Sequence, residues 1–325
     1  MNDLVSVFVP VYNISSRYPG ALERFIDSVG NQTYTNIEVI LVDDCSTDDS
    51  GAICERQAAK DSRFRVVHHS QHLTINKARE TGFRHCKGPL VYNADPDDLL
   101  HPQAIEIQHA LLTAHPECQM VATLLTPHFS ETAEFTPIGE PDYEILGRTE
   151  SMVNYFFKKG AFNLWNRLYR RELLETIDFN ITMQNDFDLS LQIWLNCQKV
   201  VLLKNTTYYW IQREQSASHN RTAERLLKLC DTFVEDWQKY ILGKHPELYG
   251  AYLFRMYNVA LGNHIKINNP ASKKASLAKI VEMKSLTWSH FTASDVAAHK
   301  KAAMWWLMHF PEHKLIVQKV HRFLK

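Results

Sequence analysis

VSVFVPVYN, Val5 to Asn13, is the stretch on which the reading of the fold turns. From Leu4 to Val11 the chain is an apolar run bounded by Pro10 and Asn13, with no alternation of polar and apolar positions. That is the pattern of a strand buried on both faces in a parallel sheet. Working outward, Ala21 to Val29 places Leu22, Phe25, Ile26 and Val29 on one helical face, and Ile37 to Val42 repeats the buried-strand pattern. Ser46 and Asp48 supply N-cap chemistry for a helix running towards Lys60. Arg65 to Val67 reads as a short strand, Ile75 to His85 as a helix and Leu90 to Asn93 as another strand. Pro102 then opens the next helix. Strand and helix in strict alternation predict an α/β fold with a doubly wound, mostly parallel sheet.

Ligands of such sheets bind beyond the carboxyl ends of the strands. Those ends carry Tyr12-Asn13, then Asp43-Asp44-Cys45-Ser46, then Asp95-Pro96-Asp97-Asp98. Three strand ends would thus deliver an aromatic ring and several carboxylates to one rim. Carboxylates packed this closely repel one another unless a cation neutralises them, and hard divalent ions prefer such oxygens. Mg²⁺ or Mn²⁺ holding a diphosphate would explain the cluster; the alternative is a capped turn in which Asp95 and Asp97 satisfy the amides leading into the next helix. Neither GxGxxG nor GxxxxGK[ST] occurs among the 11 glycines, which argues against a dinucleotide dehydrogenase and a P-loop NTPase.

The chain has 325 residues, 45% hydrophobic and 22% charged, the balance of a globular protein. Lys+Arg and Asp+Glu are equal at 36, which argues against a nucleic-acid coat. From Asn220 onward, however, 17 basic residues face 8 acidic ones, leaving 19 against 28 before it. Together with the change of pattern, this predicts two modules facing different partners, an acidic one over 1–219 and a basic, mainly helical one over 220–325. Pro127 to Glu150 reads as a surface excursion. Trp165 to Leu174 resumes structure, Phe187 to Trp194 reads as a helix, and Val200 to Leu203 and Thr207 to Ile211 read as strands. The helices expected after Asn220 are Leu226–Tyr240, Leu248–Ile267, Lys273–Met283, Ala293–Met308 and Glu312–Leu324. The six cysteines are scattered without metal spacing, as in a reducing cytosol. No apolar run approaches the ~18 residues of a membrane span. The expected location is cytoplasmic.

Taken in order, VSVFVPVYN, VDDCSTDDS (Val42 to Ser50), LTINKARETG (Leu73 to Gly82), the DPDD of Asp95 to Asp98 and LWNRLYRRELL (Leu164 to Leu174) resemble family 2 glycosyltransferases of the GT-A fold. Asn185-Asp186 and YYWIQREQSAS (Tyr208 to Ser218) continue the likeness over the first two thirds of the chain, which makes the acidic module over 1–219 the GT-A catalytic domain. The resemblance implies that Pro10 and Tyr12 border the nucleotide base, with Asp44 accepting from the uracil edge and Asp43 orienting its loop. It puts Asn76 and Arg79 in the donor pocket, Asp95 near the ribose and the metal, and Asp97 on the Mn²⁺ or Mg²⁺ itself. Asp186 matches the second residue of the family's Glu-Asp pair, the general base. Asn185 replaces the usual Glu, Pro96 a small residue, and Arg167 a frequent Lys.

The function so implied is inverting transfer of a hexosyl or N-acetylhexosaminyl group. The donor would be a nucleotide sugar, a UDP-sugar by the family's habit. The acceptor would be a hydroxyl of a bacterial cell-surface glycan (capsule, lipopolysaccharide or a lipid-linked precursor). Two rivals are a sugar-phosphate nucleotidyltransferase, which would carry a Gly-rich phosphate loop, and a non-catalytic protein keeping the fold. Arg213 and His219 lie on a polar loop, as lid or acceptor contacts or as plain solvated residues. Trp165, Tyr208 and Trp210 read as core or wall aromatics, with Trp165 also able to stack on an acceptor. His68, His69 and His72 read as surface histidines rather than a metal cluster, and Asp188 as solvent-facing or a helix cap, with replacement of Asp186 as base the alternative. From His299 to Lys325, six basic residues face Glu312 alone, beside Trp305 and Trp306. This is a pattern for lying on an anionic membrane as well as for packing on protein.

Overall fold

The computed structural model describes residues 3–124, 127–157, 162–180, 186–213, 223–265 and 267–309. It divides into two compact units, residues 1–148 with 162–213, and residues 149–161 with 214–325.

The strands of the first unit are β1 (Val5–Val11), β2 (Ile37–Asp43), β3 (Phe64–His68), β4 (Leu90–Asn93), β5 (Leu99–Leu100), β6 (Met120–Thr123), β7 (Pro127–His128), β8 (Tyr143–Gly147), β9 (Arg167–Arg170), β10 (Lys199–Leu203) and β11 (Tyr208–Ile211). Among the described residues, eight of them form one sheet in the order β3-β2-β1-β4-β9-β6-β10-β8, and β5-β11-β7 form a smaller one. β3, β2, β1 and β4 run parallel, as do β6 and β10, whereas β9 and β8 run antiparallel to their neighbours. The mixed α/β class with a mostly parallel sheet follows. β1 is buried along its whole length, including Pro10. Proline is tolerated in this central strand because the β1–β4 pairing ends at Phe8 opposite Asn93, two residues earlier.

Register aligns the strand ends. Val11 pairs with Asp43, and Asp43 with His68, so Tyr12, Asp44 and His69 leave the sheet side by side. Behind this rim the helix Ile75–His85 packs on β1. Thr74 caps it by accepting from Lys77 N at 3.4 Å, and its buried face carries Asn76, Arg79 and Phe83 at helical spacing. The approach is close enough that a Cβ on Gly82 would meet Phe8 Cβ at 2.9 Å.

Three features depart from the sequence reading. β9 is an antiparallel strand in the middle of the sheet, between β4 and β6. β6, Met-Val-Ala-Thr, is too short a run to be seen as a strand. Within 127–150, read as a surface excursion, the structure forms β7 and the edge strand β8. In β8 only Leu146 is buried, while Tyr143 and Ile145 are exposed, so the hydrophobic signal is weak and pairing with β10 defines the strand.

The second unit is helical. Ala223–Asp236 runs on through a π-helical turn, Trp237–Ile241, and is followed by Tyr249–His264, Pro270–Ala293 and Ala298–His309. Its core includes Phe156, Phe233, Trp237, Tyr252, Met256, Tyr257, Ile280, Met283 and Phe291. Pro270–Ala293 is one helix where the sequence suggested an end at Met283. Asn269 caps it by accepting from Ser272 N at 3.0 Å, and no breaker follows. The expected helix Glu312–Leu324 lies outside the described residues. No helix among the described residues is long and apolar enough to cross a membrane.

Candidate active site

At the β1 end, Asn13 takes a left-handed conformation (φ 50°), which Asn tolerates better than most residues. Its amide donates to Ser46 Oγ at 3.1 Å, and its Oδ1 accepts from Thr47 N at 2.8 Å, lacing the loop after β1 to the loop after β2. Tyr12 is left 40% exposed at this rim. Asp43 and Asp44 behind it are buried. Asp43 Oδ1 accepts from Ser46 N at 3.1 Å, and Oδ2 lies 2.9 Å from His68 Nδ1. A Cβ on Gly51 would come within 2.9 Å of Asp43 Oδ2, so glycine keeps this contact open. Asp44 Oδ1 lies 2.6 Å from His69 Nδ1 and accepts from Leu73 N at 2.9 Å. Asp44 Oδ2 lies 2.9 Å from His72 Nδ1.

The three histidines are therefore not plain surface residues. His69 is buried between Asp44 and Thr81 Oγ1, 2.9 Å from its Nε2. His68 spans Glu55 and Asp43, and those two carboxylates, Glu55 foremost, hold its pKa above the ordinary histidine value. His72 stacks on Tyr12. Spacing alone could not reveal this, because His68 meets Asp43 across the register of two strands 25 residues apart.

A second group forms around the fully buried Arg79. Its Nη1 donates to Asp186 Oδ1 at 2.6 Å and its Nη2 to Asp95 Oδ1 at 3.3 Å. Burial opposes the guanidinium charge, and the two carboxylates outweigh it, so the Arg79 pKa stands above its ordinary value. Burial pushes the Asp95 carboxyl up to about 7, against the pull of Arg79 and with the repulsion of Asp186 and Asp97. Asp97 is also raised by burial. Its Oδ2 accepts from Arg213 Nη1 at 3.3 Å, and Arg213 is clamped by Glu131 Oε1 at 2.8 Å and packs over the Tyr18 ring. Arg213 is thus an ion-paired residue of this cluster rather than a solvated loop residue. Asn76 is buried beside Arg79 on the same helical face.

Asp98 does different work from its neighbours. It is buried, accepts from Tyr208 Oη at 2.9 Å and from Ile211 N at 2.9 Å, and burial raises its pKa well above the carboxylate range. Tyr208 Oη also accepts from Asp95 N at 3.2 Å, so β11 pins the whole Asp95–Asp98 turn. Asp98→Ala would leave the Tyr208 O–H without its acceptor and orphan the Ile211 amide, and is expected to cost about 2–4 kcal/mol of stability. Urea unfolding checks this, and a loss below 1 kcal/mol would contradict the pinning role. Trp165 is buried and stacked on Tyr208 (centroids 4.7 Å, 17°), a wall of the site rather than an open platform.

Asp188 is buried and accepts from Gln192 Nε2 at 3.0 Å, so it neither faces solvent nor stands free to act as a base. Arg167 is buried against Ser190 Oγ (3.1 Å) and Asn163 Oδ1 (3.3 Å). Asn185 and His219 lie outside the described residues.

Among the described residues no three His, Cys, Asp or Glu side chains are grouped to enclose a metal ion. Mg²⁺-type ions need no such cage, since one or two carboxylates and substrate phosphates suffice. Asp95 and Asp97 fit that donor set. Both offer oxygen ligands, and both stand on the turn after β4, where burial raises their pKa values.

A mostly parallel sheet with carboxylates at its strand ends, followed by a helical C-terminal part, is a GT-A architecture. The same fold is seen in S. aureus TarS 1-349 in complex with UDP-GlcNAc (TM-score 0.72, 18% identity, covering 98% of this chain and 91% of TarS 1-349). It is seen also in the mannosyltransferase PcManGT of Pyrobaculum calidifontis in complex with GDP-Man and Mn²⁺ (TM-score 0.57, 17% identity, covering 100% and 88%). The model of the family described as Glycosyl transferase family 2 matches residues 6–178, more than half of the sequence, and the chain belongs to that family. A curated relative, the glycosyltransferase GlyA of Streptococcus pneumoniae, is 27% identical over 276 residues, 81% of this chain. The chain spans 38% of GlyA's length.

Proposed function

We propose that this protein transfers a hexosyl or N-acetylhexosaminyl group, with inversion, from a UDP-sugar to a hydroxyl of a bacterial cell-surface glycan. The observation that carries the reading is Arg79, one buried guanidinium joined to both Asp95 of the carboxylate turn and Asp186. A base and a diphosphate-holding turn must be a fixed distance apart for a single displacement, and a shared rigid cation is a way to fix it. Tyr12 would stack on the uracil, Asp44 would accept from its edge, and Asp43, Pro10 and Asn76 would shape the pocket. Asp186 would take the proton from the acceptor hydroxyl as that oxygen attacks the anomeric carbon from the face opposite the leaving group. Mn²⁺ or Mg²⁺ held by Asp97 and Asp95 would neutralise charge on the departing diphosphate.

The test is a panel of nucleotide sugars scored for released nucleoside diphosphate. Release from UDP-sugars alone is the expected result, and release from none of the panel contradicts the reading. Tyr12→Ala should weaken UDP binding by about 1–3 kcal/mol, as loss of a base-stacking ring does; calorimetry showing an unchanged affinity would remove Tyr12 from the base site. The basic segment 299–325 would rest on anionic lipid. Liposome co-sedimentation should then require anionic vesicles and weaken with salt.

A further inference from the structure

His72 lies in the loop between β3 and the helix Ile75–His85, and its side chain is 48% exposed. Its ring lies flat on Tyr12, with centroids 4.0 Å apart and planes inclined by 19°. At the edge of the same ring, Nδ1 stands 2.9 Å from Asp44 Oδ2. The other oxygen of Asp44 is already committed to the buried His69 and to Leu73 N. A pyrimidine bound by these two residues would need the same pair of contacts, a π face on Tyr12 and a ring N–H turned to Asp44.

We propose that His72 is a placeholder for the nucleobase. In the ligand-free protein its imidazole fills the base subsite, and it must swing out before a uracil ring can enter. The inference rests on the reading of Tyr12 and Asp44 as the base subsite. Two features of the loop suit the role. His69 is buried and tied at both ring nitrogens, so Asp44 stays oriented when its neighbour leaves. His72 is at the rim and half in solvent, so its departure needs only side-chain and local loop rotation. While His72 is in place, one face of the Tyr12 ring is covered and Nδ1 stands 2.9 Å from the second Asp44 oxygen, and a ligand must compete with both contacts. A closed state that dominates lowers apparent affinity by the fraction of molecules open. One ring stack and one close nitrogen–carboxylate contact put that factor on the order of 10-fold.

Calorimetry with the full chain decides it, using UDP and, as a control without a base, pyrophosphate. His72→Ala should bind UDP about 10-fold more tightly and pyrophosphate as the wild type does. Tyr12→Ala should cost more UDP affinity in the His72→Ala background than in the wild type, because in the wild type the same ring also holds the placeholder. In the unaltered protein, the ring-proton NMR signals of His72, shifted by the Tyr12 ring, should move towards solvent-exposed positions on adding UDP but not pyrophosphate. Equal or weaker UDP binding by His72→Ala, a gain shared by pyrophosphate, or His72 signals indifferent to UDP would each overturn the proposal. If Tyr12→Ala leaves UDP affinity unchanged in the His72→Ala background, the base-subsite reading falls as well. If it weakens binding there while His72→Ala alone gives no gain, only the placeholder falls.

Discussion

Asp186→Asn is expected to lower sugar transfer by about 10²–10⁴-fold, the usual contribution of a positioned general base, with UDP affinity staying near the wild-type value. Asparagine keeps the shape of the side chain and can still accept from Arg79 Nη1, which holds Asp186 Oδ1 at 2.6 Å at the start of the helix Asp186–Asn196. It cannot take a proton. Single-turnover transfer and UDP calorimetry on the same preparation separate chemistry from binding. Full activity in this variant would show that Asp186 is not the base. Asp188 offers no easy substitute, since it is buried against Gln192.

The second large effect is expected at Asp97. UDP binding should depend on Mn²⁺ or Mg²⁺, and Asp97→Ala should weaken metal-dependent binding by about 100-fold or more. Losing residues that merely support a metal ligand already costs 10–100-fold, and losing a ligand costs at least as much. The variant also removes the 3.3 Å contact of Arg213 with the Asp97 carboxylate, while Glu131 still holds the guanidinium beside the turn, so its charge there is less neutralised. Asp97→Ala/Arg213→Gln therefore isolates the carboxylate. Equal UDP affinity in EDTA and in Mn²⁺ for the wild type would contradict the metal role, whatever the variants do.

Much of the sheet was readable residue by residue. β1, β2 and β4 are runs buried on both faces, so their hydrophobicity is continuous and their ends are sharp. The helix Ile75–His85 matches its expected bounds because Thr74 caps it and its buried side keeps helical spacing. β8 and β9 were not readable in the same way. β8 buries only Leu146, and the antiparallel place of β9 between β4 and β6 depends on partners distant in sequence. A strand's direction in a sheet leaves no mark on its own composition.

The candidate site divides along the same line. The sequence by itself determined which groups leave the strand ends: Tyr12 after β1, Asp43 and Asp44 at the end of β2, Asp95 and Asp97 after β4. Strand order and polarity put them on one rim, and a strand's end is a local property. Only the tertiary structure decided what each group touches. Asp98, alike in sequence to Asp95 and Asp97, is sealed under Tyr208 and Ile211. Arg79 reaches Asp186 across 107 positions of chain, and Arg213 reaches Asp97 across 116. His68, His69 and His72 turn inward to Asp43 and Asp44. Charge pairing and burial act through space at a few ångströms, and spacing along the chain carries no information about which distant carboxylate a histidine or guanidinium will meet.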